Sequence, residues 1–315
     1  MAHPSPFLTI LFLIFMSCAG GSAHADTDTA PWPQRLSPHV WLFQGLSAAG
    51  SKANRNNISN AGLIETPSGL VLVDALGSPA LARELLAAAK AISPKPITHV
   101  ILTHYHADHI YGLQVFKAAG AQIIAHQQAR EYLNSETAAL RLAASIEEGL
   151  VEPGTRLVPA DRWIDGETTL DLGGLVLQLI PVGPAHTPED LSVWLPADQL
   201  LFAGDLVFRG RIPFVGQADS RRWVTSLDRL LTRPAAIVVP GHGPASTEAR
   251  QDLLLTRDYL AYLRATMGRA AREMTPFEEA YAATDWSRYE AMPLFKLANR
   301  MNAYNTYLLM EQEKD

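Results

Sequence analysis

Cysteine is almost absent from this chain. Its 315 residues include one cysteine, Cys18, near the N-terminus. The body of the chain is therefore expected to have no disulfide and no thiolate metal ligand. Basic clusters are also lacking, because 26 Lys and Arg are outnumbered by 32 Asp and Glu, and the basic residues form no run. This balance argues against nucleic acid as a partner, since such binding usually needs a basic face.

Long apolar runs are scarce, and the one that stands out lies at the start of the chain. Phe7 to Met16 is almost wholly apolar, and Ala23-His24-Ala25 follows with the A-x-A pattern of a signal-peptidase site. The run is too short for a comfortable membrane span. We therefore predict a periplasmic or secreted protein that begins at Asp26 and has no stable membrane insertion after processing. Because Met1 to Pro6 contains no Lys or Arg, an uncleaved N-terminal anchor is one alternative, and a lipoprotein modified at Cys18 is another.

Apolar segments with strand and helix spacing alternate along the rest of the chain. Ile97 to Thr103 is predicted to be a buried strand, His109 to Ala119 a helix and Ala121 to Ala125 a further strand. Later strands are predicted at Thr168–Leu172, Leu175–Pro181, Leu191–Leu195, Leu200–Ala203 and Ala236–Val239, before a long helix at Thr247–Glu273. Strands with interspersed helices in each half predict two packed sheets with helices outside.

Histidine and aspartate side chains are concentrated in loops that directly follow apolar strands. His104, His106, Asp108 and His109 occur within six residues, and His186, Asp205 and His242 follow later strands. His104 and His106 are two residues apart, so in an extended segment both imidazoles point the same way, whereas Asp108 and His109 lie where the chain turns into a helix. One short segment can therefore supply two neighbouring metal ions, for which imidazole and carboxylate are suitable ligands.

The alternative is a solvated polar loop, but such a polar group is costly to hold in a fold without a partner. His39, His99 and His126 stand alone in the sequence and are interpreted as structural or surface residues.

The segment His104-Tyr105-His106-Ala107-Asp108-His109 resembles the H-x-H-x-D-H signature of the metallo-β-lactamase superfamily. Gly204-Asp205 and Pro240-Gly241-His242-Gly243 follow in that family's order, and the resemblance runs from about residue 36 to 265. It implies an α/β fold, the αββα sandwich, with two mixed sheets and outer helices. It also implies a segment division: a signal peptide at 1–25, the hydrolase domain at 26–273 and a helical extension at 274–315 packed on the same domain.

The resemblance assigns a role to each member of the cluster. It implies one zinc ion bound by His104, His106 and His186, a second bound by Asp108, His109 and His242, and Asp205 between them. Asp74, at the end of an apolar strand, resembles the family's aspartate that orients a ligand histidine. An ordinary turn aspartate is the alternative interpretation of Asp74.

Departures from the better-known branches narrow the expected activity. Asp205 disfavours antibiotic hydrolysis, because true β-lactamases usually carry Cys or Ser there, and His106 argues against flavodiiron oxygen reductases, which carry Glu. The C-terminal glutathione-binding pattern of glyoxalases II is not found. The segment Phe208 to Phe214, with Trp223, resembles exported metallohydrolases encoded beside quinoprotein dehydrogenase systems. We therefore expect a small-molecule substrate and a periplasmic quinoprotein system as the partner.

These observations predict a hydrolase with two zinc ions per chain that uses a metal-bridging hydroxide on a small ester, thioester, lactone or amide. Asp108 is the predicted catalytic residue, which orients the nucleophile and carries a proton to the leaving group. Arg209 and Arg211 follow Asp205 closely and are candidates to bind an anionic substrate group, with surface arginines as the alternative. Two other functions stay open: an iron-dependent enzyme similar to persulfide dioxygenases, and a non-catalytic metal-binding protein of a periplasmic redox pathway.

Overall fold

The structure is a computed structural model that describes residues 32–216 and 218–313. The predicted signal peptide and Cys18 lie outside these residues, so cleavage and lipidation stay predictions. Within the described ranges, no helix combines the length and apolar character that crossing a membrane requires.

The first sheet contains seven strands in their order along the chain. The first to fourth strands pair antiparallel, and the fourth to seventh strands pair parallel, so the sheet is mixed. A hairpin turn at Pro67-Ser68 joins its third and fourth strands. The strands are β1 (Gln34–Arg35), β2 (Val40–Phe43), β3 (Ala61–Thr66), β4 (Gly69–Val73), β5 (Ile97–Ile101), β6 (Gln122–His126) and β7 (Arg162–Ile164).

The second sheet contains five strands from the second half of the chain. They are β8 (Thr168–Asp171), β9 (Val176–Pro181), β10 (Leu191–Leu195), β11 (Leu200–Phe208) and β12 (Ile237–His242). Their order across the sheet is β12-β11-β10-β9-β8, and only β11 and β12 run parallel. Both sheets are therefore mixed, as the sequence predicted.

Helices cover the outer face of each sheet. They are α1 (Pro79–Ile92), α2 (Ala107–Ile110), α3 (Leu113–Ala118), α4 (Ala129–Leu133), α5 (Glu136–Glu147), α6 (Ser220–Leu230), α7 (Ala249–Arg272), α8 (Phe277–Ala283) and α9 (Phe295–Gln312). Leu81 and Leu85 of α1 pack on the first sheet, and Leu260 of α7 and Ala303 of α9 belong to the core on the second.

The two sheets meet through apolar side chains of alternate residues. Val71 and Ile101 of the first sheet pack with Val193 and Phe202 of the second. A Cβ at Gly62 of β3 would lie 2.1 Å from the Phe202 ring, so the sheets approach closely where that residue has no side chain. The four layers are helix, sheet, sheet and helix, which confirms the predicted sandwich.

The observed helices and strands differ from the predicted ones in three places, two of which contain candidate metal ligands. The helix predicted from His109 to Ala119 is two short helices, α2 and α3, that are separated at Gly112. A Cβ at Gly112 would lie 1.9 Å from the carbonyl oxygen of Ala75, so close packing against β4's end requires glycine there. Strand β11 continues past Ala203 to Phe208, and Asp205 therefore lies within a strand rather than in a loop after it. The C-terminal region, which the sequence predicts to be a helical extension, is α8 and α9 with a non-helical segment between them.

Candidate metal centre

Both sheets contribute to one cluster of histidine and aspartate side chains. The segment from His104 to His109 follows β5, His186 lies in the turn from β9 to β10, and Asp205 and His242 lie in β11 and at the end of β12. The structure brings all seven predicted residues into two adjacent groups. Within each group the ligand atoms lie within 4.8 Å of one another; the groups are His104, His106, His186 and Asp205, and Asp108, His109 and His242.

The first group has the spacing of ligands around one ion. The Nδ1 atom of His106 lies 3.0 Å from Nε2 of His186. Asp205 Oδ2 lies 3.3 Å from Nε2 of His186 and 3.8 Å from Nε2 of His104. Zn–N bonds of 2.0–2.1 Å in a tetrahedron separate two ligand nitrogens by about 3.3 Å, so these nitrogens are spaced to share an ion.

The second group meets the first at the carboxylate of Asp205. Asp108 Oδ2 lies 3.3 Å from Nε2 of His242 and 3.6 Å from Nε2 of His109. Asp205 Oδ1 lies 3.3 Å from Nε2 of His109, and its Oδ2 lies 3.3 Å from Nε2 of His242. One carboxylate therefore reaches ligand atoms of both groups, which is the arrangement a bridging ligand requires.

Hydrogen bonds on the far side of three imidazoles fix which nitrogen is free. His109 Nδ1 lies 2.8 Å from Asp74 Oδ2, and His242 Nδ1 lies 2.7 Å from the carbonyl oxygen of Ile58. Both oxygens only accept, so each Nδ1 donates its proton. His104 Nδ1 lies 3.0 Å from Thr103 Oγ1, which donates to Asp74 Oδ2 at 2.8 Å. In the neutral form of each ring, Nε2 is therefore the nitrogen that is left to bind a metal ion.

The cluster contains buried polar atoms that no described residue satisfies. Nε2 of His104, Nε2 of His109 and Oδ1 of Asp205 are fully buried, and none has a hydrogen-bond partner within residues 32–216 and 218–313. Unpaired buried acceptors are costly, and here they converge on the two groups. A metal ion is the partner that converging nitrogen and carboxylate lone pairs fit, so these residues suit the binuclear site that the sequence predicts.

Burial keeps the imidazoles of the first group neutral. It lowers the pKa of His104 well below the usual value, that of His106 to about 4 and that of His186 to about 3. Burial also acts to raise the pKa of Asp205, but the neighbouring His242 and His109 outweigh it and hold that pKa well below its usual value. Neutral imidazoles around an ionised carboxylate form a donor set ready for a divalent cation.

Comparison with known proteins identifies the fold family. The profile of the metallo-beta-lactamase superfamily matches residues 55–242. The chain belongs to that superfamily. The matched range includes each of the seven cluster residues and Asp74.

Curated relatives within the superfamily act on different substrates. A type 2 metallo-beta-lactamase of Bacillus cereus is 33% identical over 231 residues, which are 72% of this chain and 81% of that protein. A linear primary-alkylsulfatase of a Pseudomonas species is 27% identical over 239 residues, and this chain spans 45% of its length. Both relatives are hydrolases, so the prediction of a metal-dependent hydrolase is confirmed at that level.

Solved structures confirm the fold. A metallo-beta-lactamase from Pontibacter korlensis superposes with a TM-score of 0.58 at 24% identity, covering 73% of this chain and 98% of that one. The sec-alkylsulfatase of a Pseudomonas species superposes with a TM-score of 0.71 at 20% identity, covering 88% of this chain and 50% of that one. These similarities concern the superfamily fold, and the metal and the substrate of this protein stay predictions.

Several residues that the sequence did not predict form hydrogen bonds to the segments that carry the ligand residues. Asp190 accepts hydrogen bonds of 2.8 Å from the backbone N–H and the hydroxyl of Thr187, next to His186. Glu189 accepts one of 3.2 Å from the backbone N–H of Tyr105, which lies between His104 and His106. The one sequence signal for these carboxylates is an acidic pair placed directly before the apolar strand β10.

Asn60 was also missed, and it positions the end of β12. Its amide donates to the carbonyl oxygens of Pro240 at 2.8 Å and Gly243 at 2.7 Å, on either side of His242. Its Oδ1 accepts from the backbone N–H of Gly45. Asn60 is one of four asparagines in this polar segment, so no sequence signal distinguishes it for this role.

The two candidate substrate-binding arginines differ in their surroundings. Arg209 forms an ion pair with Asp252 of α7, with 3.2 Å between Nε and Oδ1, and does not reach the cluster. Arg211 is buried, and its Nη1 lies 3.4 Å from Nδ1 of His242. Burial lowers the pKa of Arg211, against the opposing effect of Asp205 and Asp108. Only Arg211 of the pair is therefore placed beside the candidate centre.

Proposed function

We propose that this protein is a zinc-dependent hydrolase with two metal ions per chain that acts on a small ester, thioester, lactone or amide. The observation that carries this proposal is the position of Asp205, whose carboxylate lies 3.3 Å from nitrogens of both ligand groups. His104, His106 and His186 would hold one ion, and Asp108, His109 and His242 the other. Bound zinc ions would lower the pKa of a water molecule and polarise the scissile group.

Asp108 is the residue that we expect to transfer protons during hydrolysis. Its side chain is 15% exposed, whereas that of Asp205 is 4% exposed, so Asp108 is the carboxylate of the cluster that a substrate can approach. Its Oδ2 is directed towards His242 and His109. Burial acts to raise its pKa, but His109 and His242 outweigh burial and lower that pKa, so the carboxylate is ionised. An ionised, partly accessible carboxylate can orient a nucleophilic water and pass its proton to the leaving group.

The same position of Asp205 favours the hydrolase over the iron-dependent alternative. A carboxylate that reaches two ligand groups is useful only where a second ion is present, whereas the dioxygenase hypothesis needs one iron. A non-catalytic metal-binding role would use Asp108 as a ligand but would make no use of its partial exposure, which leaves the carboxylate within reach of a substrate. Export and association with a periplasmic quinoprotein system rest on the sequence alone and stay predictions.

Metal analysis followed by a substrate panel tests the proposal. The purified mature protein should contain two metal ions per chain and hydrolyse at least one member of a panel of esters, thioesters and lactones after zinc loading. Replacing His39 by Ala provides a matched control, because this histidine contacts Asp198 at the surface and lies outside the cluster. The His39→Ala variant should retain both ions. One tightly held ion that zinc addition does not change would contradict the two-metal site.

A further inference from the structure

Helix α9 presents a row of apolar side chains to solvent. Leu297 is 57% exposed, Met301 38% and Tyr304 44%, and Leu308, one turn later, is half-buried. Successive members of this row are four, three and four positions apart, so all of them lie on one face of the helix. A contiguous apolar row of this kind at the surface marks a place where another molecule binds.

The spacing of the row is the one through which helices pack side by side. Positions that alternate in steps of four and three are the a and d positions of a heptad repeat, whose side chains interlock with those of a facing helix. The other side of α9 already packs on the protein, because Ala303 and Tyr307 belong to the core on the second sheet. The row therefore faces away from the protein, and a helix of another molecule is the element that fits it.

Opposite charges lie at the two ends of α9. Lys296 and Arg300 occupy its first two turns, and Glu311 occupies its last turn. Arg300 pairs with Glu278 of α8, whereas Lys296 and Glu311 are exposed and form no ion pair with any residue of 32–216 or 218–313. About 22 Å of helix separates these two residues, at 1.5 Å per residue. Two antiparallel copies of α9 would bring each basic end to an acidic end, whereas an anionic membrane surface would attract one end and repel the other.

We propose that a second copy of this chain covers the row, in a symmetric dimer whose two α9 helices lie antiparallel. The two-fold axis passes between Met301 and Tyr304, so that Met301 packs against Tyr304 of the partner subunit. Leu297 then packs against Leu308 of the partner subunit. Because the interface is the same patch on both subunits, every contact occurs twice.

The proposed interface adjoins the loop beside the candidate metal centre. Asn302 of α9 donates a hydrogen bond of 2.7 Å to the carbonyl oxygen of Pro213 and accepts one of 2.9 Å from the backbone N–H of Val215. Phe214 lies between these two residues, and its ring centroid is 6.5 Å from that of His186 in the first ligand group. Contacts that fix α9 in a dimer would therefore also support this loop.

Light scattering of the purified mature protein at several concentrations tests the dimer. The wild-type protein should reach twice the mass of one chain. Met301→Glu should raise the dissociation constant at least about 10-fold, because the symmetry brings two new carboxylates close together in an apolar interface. Leu140→Glu is the matched control, since Leu140 is 54% exposed on α5, which packs on the first sheet, and this variant should stay dimeric. Unchanged metal content and circular dichroism would show that Met301→Glu stays folded.

An exchange of charges tests the antiparallel orientation. Lys296→Glu and Glu311→Lys should each weaken the dimer about 2- to 30-fold, because the symmetry removes two exposed ion pairs. The double variant should restore the wild-type dissociation constant. Dimerisation of the single variants equal to that of the wild type, or no recovery in the double variant, would contradict this orientation. A wild-type protein that is monomeric at every concentration would overturn the proposal, as would a monomer that sediments with phosphatidylglycerol vesicles and loses this binding in Met301→Glu.

Discussion

Replacing Asp74 by Asn is expected to weaken metal binding while the chain stays folded. The Asp74 carboxylate accepts three hydrogen bonds of 2.8 Å: from the Thr103 backbone N–H, from the Thr103 hydroxyl and from Nδ1 of His109. An amide has one acceptor oxygen, so in Asp74→Asn at least one of these donors would face the NH2 group. The backbone at residue 74 has a φ of 63°, which Asn adopts as readily as Asp. The substitution therefore changes the hydrogen bonds and spares the turn.

The expected loss of metal affinity depends on which ligand histidines these hydrogen bonds orient. Asp74 orients His109 directly and His104 through Thr103, so one residue of each ligand group depends on it. Loss of the group that orients a ligand histidine usually costs about 10- to 100-fold in metal affinity. A hydrogen bond to a charged acceptor contributes about 1.5–3 kcal/mol. The loss of one such bond should therefore lower the unfolding free energy of the metal-free protein by roughly the same amount.

Competition with a coloured chelator measures the metal affinity, and thermal unfolding of the metal-free protein measures its stability separately. Asp198→Asn is the matched control, because Asp198 contacts Nδ1 of His39 at 3.2 Å, far from the cluster. The control should bind metal as the wild type does. Unchanged affinity for both ions in Asp74→Asn, or an equal loss in Asp198→Asn, would refute the idea that Asp74 orients the ligands.

Five further results are expected. His242→Ala should lose one metal ion and retain the other in elemental analysis, because His242 contributes to the second group alone. Asp205→Ala should lower turnover by orders of magnitude, because the Asp205 carboxylate reaches both groups. The activity of the wild-type protein should be equal under argon and in air. Oxygen consumption in step with product formation would support the dioxygenase hypothesis. Chelation should lower the thermal midpoint, since metal at 100 times its Kd contributes about 2.7 kcal/mol. Mass spectrometry of periplasmic material should find an N-terminus at Asp26; an intact Met1 in the cytosol would contradict export.

The sandwich could be predicted because its signals are local. The apolar strands Leu191–Leu195 and Ile97–Ile101 are short buried runs, and α1 begins with Ser78 as its cap and Pro79 in its first turn. The predicted ends of strands and helices were wrong where polar residues interrupt these apolar patterns. Strand β11 continues through Gly204 and Asp205, because pairing with β12 and burial between neighbours extend it beyond what its composition predicts.

The sequence by itself determined which side chains could form the cluster, because His104 to His109 lie in one short segment and the other members follow runs of apolar residues. Only the tertiary structure decided how these side chains are held and which neighbours they have. Asn60 reaches residues 180 and 183 positions away, and the carbonyl of Ile58 lies 184 positions from His242. Arg209 and Arg211 are indistinguishable by pattern, yet one pairs with Asp252 and the other lies unpaired beside His242. Periodicity reports the direction of a side chain within one element, whereas these contacts depend on how distant elements pack.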